Sequence, residues 1–360
     1  MMHSALRHLG SIAWKRKPIQ LTFFVTRRCN AHCPYCFYLQ SAAPAPASGA
    51  ELDLDEIERI CRPLGSLLWL AFSGGEAFLR PDIADISRIA YRCTRPAVML
   101  YSTNGMMPEL IRERVERIVA ECPRSVIAVK LSLDGVGAAH DALRATPGSF
   151  ERVMRSVRLL APLLDRHPNL ELGINTVFSA RNQDRIDEIM DFVAALPVPC
   201  SHTISLVRGE LREPEHLQLD IGKYTRAATR LAQRLRQRQT PRYRFRGARL
   251  KAAQDVLQRQ LIGETWSARR RLVPCYAGRL NLVLGETGEV FPCETFDRSL
   301  GNVRDYGYDL HRMLRAPAAG SARRSIAGGG CHCTHECYFM TNIFFNPRLY
   351  PALAREYLRL

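Results

Sequence analysis

Long hydrophobic runs are missing from this chain: no segment of its 360 residues approaches the roughly 18 consecutive apolar positions that a membrane-spanning helix needs. The opening MMHSALRHLGSIAWKRKP has neither a long apolar centre nor an A-x-A cleavage pattern, so no export signal is read and a cytoplasmic chain is expected. No fixed-period repeat is present, which excludes a solenoid. Phosphate-binding glycine patterns are also absent. There is no G-x-x-x-x-G-K-[ST], and Asp134-Gly135-Val136-Gly137 meets His140 where a third glycine would stand, which sets aside triphosphate and dinucleotide binding. Acidic residues are scarce, 35 against 51 lysines and arginines, leaving a formal charge of +16.

What is present describes a globular protein. Hydrophobic residues make up 46% and charged residues 24%, enough for one large core with a small module or for two ordinary domains. The excess charge is concentrated, with 16 basic against 5 acidic residues between positions 211 and 273. Twelve cysteines in a chain read as cytoplasmic stay reduced, so they are metal ligands or core thiols before they are disulfides.

From residue 19 the chain alternates short β-branched or aromatic runs with helical periodicity, the pattern of βα units around a parallel sheet. Strands are expected at 19–26, 66–73, 97–103, 125–133, 170–178 and 202–207, with amphipathic helices between them. Six such units predict a partial (β/α)6 TIM-like barrel. The stretch SAAPAPASGA, 41–50, reads as a flexible linker, and 216–265 as helix broken near Pro241. RLNLVLGETGEVFPC, after Cys275, reads as a β-hairpin turning at Glu286–Gly288 and opening a Cys-rich unit. The expected boundaries are 1–18 for a basic leader, 19–210 for the barrel, 211–273 for an Arg-rich helical bridge and 274–360 for the C-terminal unit.

Cys29, Cys33 and Cys36 form a C-x3-C-x2-C run directly after the first strand. A zinc site closed by protein takes four ligands, and within this loop only His32 would complete one. A cubane held by three thiolates instead leaves one iron open to a reactant. Both chemistries are consistent with the loop taken alone, and the iron reading leads.

The loop resembles the defining signature of the radical S-adenosylmethionine (SAM) superfamily, and further motifs follow in that family's order. The resemblance implies a [4Fe–4S] cluster on Cys29, Cys33 and Cys36 whose open iron binds the amino and carboxylate groups of SAM, with Tyr35 near the adenine. Ser73-Gly74-Gly75-Glu76 resembles the family's GGE segment, which receives the methionine ammonium. Ser102-Thr103-Asn104-Gly105 and Ser132-Leu133-Asp134-Gly135, at the ends of the third and fourth strands, are similar to segments that contact SAM or substrate. Arg144 is similar to an arginine that pairs with the SAM carboxylate. The implied activity is reductive cleavage of SAM to a 5′-deoxyadenosyl radical that abstracts hydrogen from a substrate. An external one-electron donor of the flavodoxin or ferredoxin type is implied with it.

Cys275, Cys293, Cys331, Cys333 and Cys337 make a second group. The spacing Cys275-x12-Gly288-x4-Cys293 resembles the opening of SPASM and twitch auxiliary-cluster domains, but the chain lacks their full set of seven cysteines. One auxiliary [4Fe–4S] cluster with one spare thiol is expected, with Cys275, Cys293 and Cys337 as its surest members and a zinc ribbon as the competing reading. Cys61, Cys93, Cys122 and Cys200 read as packing residues.

The substrate implied is a peptide, or, given the basic bridge, an anionic small molecule or lipid. Nucleic acid is disfavoured because Tyr224, Tyr243, Phe245 and Trp266 are too few for a stacking platform. The basic leader, with Leu6, Leu9, Ile12 and Trp14, is compatible with peripheral membrane contact or with a short helix packed on the barrel. The rival from another functional class is a non-catalytic zinc protein whose basic helices bind nucleic acid.

Overall fold

A computed structural model describes residues 2–39, 50–241, 243–329 and 331–360; most of the expected linker, 41–49, lies outside them. Six parallel strands run in sequence order: β1 (Gln20–Thr26), β2 (Trp69–Gly74), β3 (Val98–Thr103), β4 (Val126–Ser132), β5 (Leu170–Phe178) and β6 (Ser201–Leu206). Each pairs with the next, and the sheet is not closed, so the architecture is the partial parallel barrel that the βα alternation predicts.

Helices α1 (Leu54–Leu64), α2 (Ile83–Thr94), α3 (Pro108–Glu121), α4 (Ala138–Leu143), α5 (Ser149–Arg166) and α6 (Ile186–Ala194) lie between the strands. The alternation along each strand decides what faces them. On β4, Ile127, Val129 and Leu131 are fully buried in the main core, while Val126, Ala128, Lys130 and Ser132 point to the concave face. β3 repeats the arrangement, with Met99 and Tyr101 in the core and Val98, Leu100 and Ser102 on the concave face. Strand β2 begins three residues later than its apolar run: the Leu67 backbone bonds Thr94 O and that of Leu68 bonds Ile19 O, just ahead of the ladder.

The basic bridge forms α7 (Ile221–Arg236) and α8 (Ala248–Ala268). Several of its cations are held on the carboxylates of the preceding segment: Arg230 bonds Asp187 and Asp191, Arg234 bonds Asp191, and Lys223 bonds Asp184. The hairpin after Cys275 is β7 (Asn281–Leu284) and β8 (Glu289–Phe291), followed by β9 (Gly301–Asn302). β7 pairs in parallel with β1, so the C-terminal segment extends the barrel sheet at its first strand. Four helices complete the chain: α9 (Leu310–Arg315), α10 (Pro317–Ala327), α11 (Glu336–Phe344) and α12 (Tyr350–Arg359). Both α11 and α12 pack on α8. All twelve cysteines are free thiols. Among the described residues no helix is long and apolar enough to cross a membrane. In the leader, a 3-10 turn over Ala5–Ile12 buries His8 and leaves Leu6, Leu9 and Trp14 exposed.

A second tie joins the C-terminal segment to the barrel. Glu56 completes a capping box with Asp53 at the start of α1 and also accepts bonds from Arg304 at 2.6 Å and Tyr308 at 3.0 Å. The Arg304 bond, against the opposing effect of burial, lowers the Glu56 carboxyl from its usual 4.5 to about 2. A carboxyl depressed on folding stabilises the protein above its unfolded pKa and loses that contribution as pH falls through the folded one. Urea unfolding of Glu56→Gln is therefore expected to cost roughly 2–3 kcal/mol near neutrality, with the difference from wild type vanishing between pH 4.5 and 2.

Candidate functional site

The loop after β1 reaches across the C-terminal ends of the strands, the face on which parallel barrels carry their chemistry. Its approach depends on two glycines. Gly74 has φ +118°, and a Cβ on Gly75 would overlap the backbone carbonyl of Arg28, so any larger residue would push β2 away from the base of the Cys loop. Backbone bonds from Gly75 N to Thr26 O and from Glu76 N to Arg28 O, each 2.8 Å, fix that contact.

The loop is held at its centre as well. Tyr35 donates to the Asp134 carboxylate at 2.6 Å, and the same carboxylate pairs with Arg144 at 2.8 Å and accepts from Val177 N at 2.6 Å. Asp134 is fully buried, and the Tyr35 ring lies 5.1 Å from that of His216. Asn104 reaches back to Asn30 at 2.7 Å, beside Cys29. Glu76 turns inward: Asn104 N, Thr103 Oγ1 and Phe78 N donate to it at 2.7, 2.8 and 3.1 Å. Burial pushes its carboxyl above the usual range despite those bonds. In this arrangement the Glu76 side chain braces the ends of β2 and β3.

Below the loop lies a cavity of about 240 Å3 lined by Cys29, Cys33, Cys36, Ser73, Gly74, Gly75, Ser102, Asn104, Ser132 and Arg144 together with Tyr35. Of the ten residues expected to contact SAM, all but Glu76 and Asp134 line it, and those two stand directly behind the lining. Burial raises the Cys29 and Cys36 thiols.

This cavity runs into a second one of about 200 Å3, deeper in the concave face, through shared walls that include Ser102, Ser132, Asn175, Ser205, Arg208 and Cys337. Arg208, which was not anticipated from the sequence, stands at the junction. It donates to His335 at 3.0 Å and Glu294 at 3.4 Å, and faces Glu336 at 3.6 Å. His335 meets Glu294 at 2.5 Å. The histidines and acids interspersed among the last cysteines are the signal for this network, because they sit beside thiols at positions that face the barrel.

The C-terminal thiols divide. Cys275 and Cys293 pack around Tyr338 and Ile326, and the Cys333 thiol is raised chiefly by burial and further by its neighbours Cys275, Cys293 and Cys331. Cys331 is exposed, with its sulfur 3.0 Å from Arg271, whereas Cys337 faces the two cavities. Among the described residues no three His, Cys, Asp or Glu side chains converge tightly enough for a single metal ion. A tetrahedral zinc needs all its ligands about 2.3 Å from one centre, whereas a cubane spreads its thiolates over separate irons.

Residues 23–193 match the family model described as the radical SAM superfamily. The chain carries a radical SAM domain. That domain implies a [4Fe–4S] cluster and SAM, and three soft thiol donors on the wall of a cavity that also carries Ser73, Asn104 and Arg144 fit both. Among curated relatives, the AdoMet-dependent heme synthase of Methanosarcina barkeri is 26% identical over 91% of this chain and 97% of its own length. The antilisterial bacteriocin subtilosin biosynthesis protein AlbA of Bacillus subtilis is 25% identical over 84% of this chain and 62% of that protein. The solved structure of anSMEcpe with bound AdoMet superposes with a TM-score of 0.62 over 95% of this chain and 96% of that one, at 17% identity, and shares its fold.

Asp134 is the point at which loop and barrel can be uncoupled. Asp134→Asn keeps the shape but removes the charge facing buried Arg144, and is expected to destabilise the fold by about 3–5 kcal/mol. Unfolding by guanidinium, with limited proteolysis between residues 27 and 39, measures it. Unchanged stability would show that Tyr35 and Arg144 are held by other contacts.

Proposed function

We propose that Cys29, Cys33 and Cys36 hold the SAM-cleaving cluster, that SAM occupies the 240 Å3 cavity, and that the adjoining cavity receives the substrate. The observation that carries this reading is the continuity of the two cavities, faced at one end by the three loop thiols and at the junction by Arg208, His335 and Cys337. When bound, cluster and SAM supply a one-electron cleavage, fed by a flavodoxin- or ferredoxin-type donor, that yields a 5′-deoxyadenosyl radical for hydrogen abstraction.

The chain's own residues orient and enclose. Ser73, Gly74 and Gly75 present backbone and hydroxyl groups to the methionine half, Arg144 offers its guanidinium to the carboxylate, and Tyr35 supplies an aromatic wall for the adenine. Ser102, Asn104 and Ser132 line the passage toward the substrate. Asp134 and Glu76 act through these residues, by fixing Tyr35 and Arg144 and by bracing the strand ends. Walls on several sides of the passage limit the access of water to a reactive carbon radical.

Four of the five C-terminal cysteines hold one auxiliary [4Fe–4S] cluster on the far side of the junction. Cys275, Cys293 and Cys333 form its common set, with Cys331 on the outside and Cys337 on the cavity side as the two choices for the fourth. Its place next to the substrate cavity suits electron exchange with a substrate radical. The named relatives span a heme synthase and a bacteriocin biosynthesis protein, and the reading for this chain is hydrogen abstraction from a peptide side chain or an anionic small molecule.

Anaerobic reconstitution is expected to give a brown protein with about eight irons, and dithionite with SAM to release 5′-deoxyadenosine. Cys33→Ala should abolish that release, whereas Cys293→Ala should retain it and lose about four irons. Of Cys331→Ser and Cys337→Ser, one should keep about eight irons and the other fall to about four. A colourless protein with two zincs, and no 5′-deoxyadenosine, would replace this reading with the zinc alternative.

A further inference from the structure

Three neighbouring positions across the sheet make an unusual row. Lys130 on β4 is in register with Gly173 on β5, and Gly173 with Ser201 on β6. The Lys130 side chain lies over Gly173 and donates to Ser201 Oγ at 2.6 Å and Thr203 Oγ1 at 3.4 Å. A Cβ at Gly173 would overlap the ammonium and would stand 2.6 Å from Ser201 Oγ and 2.7 Å from Lys130 Cδ. A strand-interior glycine forfeits packing and adds flexibility, so its presence marks a close approach, here that of a lysine side chain.

The ammonium points into the 200 Å3 cavity, whose other walls are chiefly apolar: Trp69, Val98, Leu100, Val126, Ala128 and Phe245. Its charge is not matched by the nearby acids. Asp255 is already engaged by Lys251 and by the Tyr243 hydroxyl at 2.7 Å, and it also faces Arg259. Glu171 accepts a backbone bond from Arg244 at 2.5 Å, and burial pushes its carboxyl up to about 7, so much of its charge is lost near neutrality. Among the described residues no carboxylate forms an ion pair with Lys130. Burial lowers its ammonium to about 8, opposed by Asp255, which leaves it mostly protonated at pH 7. A buried cation whose partners are two hydroxyls and, 5.9 Å away, the face of the Tyr243 ring costs free energy unless a ligand supplies the counter-charge.

We propose that the Lys130–Gly173–Ser201 row is a carboxylate subsite, and that the substrate is a small organic acid with an apolar body that lies along the chamber toward the SAM cavity. A single unpaired ammonium flanked by two hydroxyls matches a monoanion. Phosphate is recognised more often by guanidinium forks or several converging donors, and Arg208, the guanidinium in these walls, is occupied by Glu294, His335 and Glu336. This inference rests on the substrate-cavity reading above and narrows it to one chemical class.

Calorimetric titration of the reconstituted full-length protein with 3-phenylpropionate, its neutral amide and inorganic phosphate tests the assignment. The carboxylate is expected to bind, and the amide and phosphate to bind at least tenfold more weakly. Lys130→Met should weaken carboxylate binding at least tenfold, and Gly173→Ala, which displaces the ammonium from Ser201, should do so while the lysine remains. If Lys130→Met fails to fold, Gly173→Ala decides. No carboxylate binding, equal binding of acid and amide, preference for phosphate, or wild-type affinity in the folded variants would each overturn the subsite. Release of 5′-deoxyadenosine by the wild-type protein is read separately. Cleavage of SAM without carboxylate binding removes this inference alone, and carboxylate binding without cleavage removes the enzyme reading alone.

Discussion

One buried carboxylate fixes the geometry of the site. Asp134 closes β4, gathers Tyr35 from the Cys loop, Arg144 from the turn after α4 and the backbone of Val177 on β5, and is itself wholly shielded from water. A carboxylate in such a place is tolerable because both of its oxygens accept hydrogen bonds and one of them pairs with a guanidinium. The consequence is mutual: Asp134 gives the buried arginine its ion-pair partner, and the arginine and tyrosine hold the carboxylate in place. Three cysteines on an otherwise mobile type of segment thereby acquire a defined position over the barrel mouth. Gly74 and Gly75 complete the constraint from the other side by admitting the loop's base against β2.

The barrel's openness follows from the same sheet. Six parallel strands do not close, so the concave face needs cover from elsewhere, and it comes from the residues that follow β6. α8 contributes Lys251, Asp255 and Gln258 to the deeper cavity, and α11 with the residue before it contributes His335, Glu336, Cys337 and Met340. Because β7 continues the sheet beside β1, that cover is tied to the barrel by backbone bonds as well as by packing. The division of labour is physical: strand ends and the Cys loop shape one cavity, and the bridge and C-terminal helices shape the other.

The sequence was informative where structure is local. Alternating and 3.6-residue periodicities placed all six parallel strands within a few residues, since burial on the helix side imposes those patterns wherever the strand pairs. The cysteine spacing and the strand-end Ser, Asn, Asp and Gly segments marked the loop and cavity because their roles depend on short stretches of backbone. Other features depend on register between distant segments and left only faint traces. Pairing of β7 with β1 joins positions some 260 residues apart and has no local signature. Lys130 reads as an outward residue on a half-buried strand, and its companions Val126 and Ala128, at the same parity, were the hint that its face is enclosed. Gly173, inside LELGINTVF, was the stronger signal, because a glycine in the middle of a buried strand has little to offer except room.

The excess positive charge takes on a different meaning once the cations are followed to their partners. Arg230, Arg234 and Lys223 are bound to carboxylates on and just before α6, and Arg236 to Glu356 of α12, so much of the basic bridge is structural, fastening α7 to the barrel and the last helix. Exposed pairs of this sort contribute little each and are screened by salt. The bridge's bulk charge is therefore weak evidence for an anionic partner on the surface. Lys130 lies outside that bridge, in the barrel proper, and a lysine enclosed beside a cavity without an acid partner weighs far more, because low surrounding polarity magnifies an uncompensated charge. The number of basic residues counts for less here than the location of Lys130, with which no carboxylate among the described residues forms an ion pair.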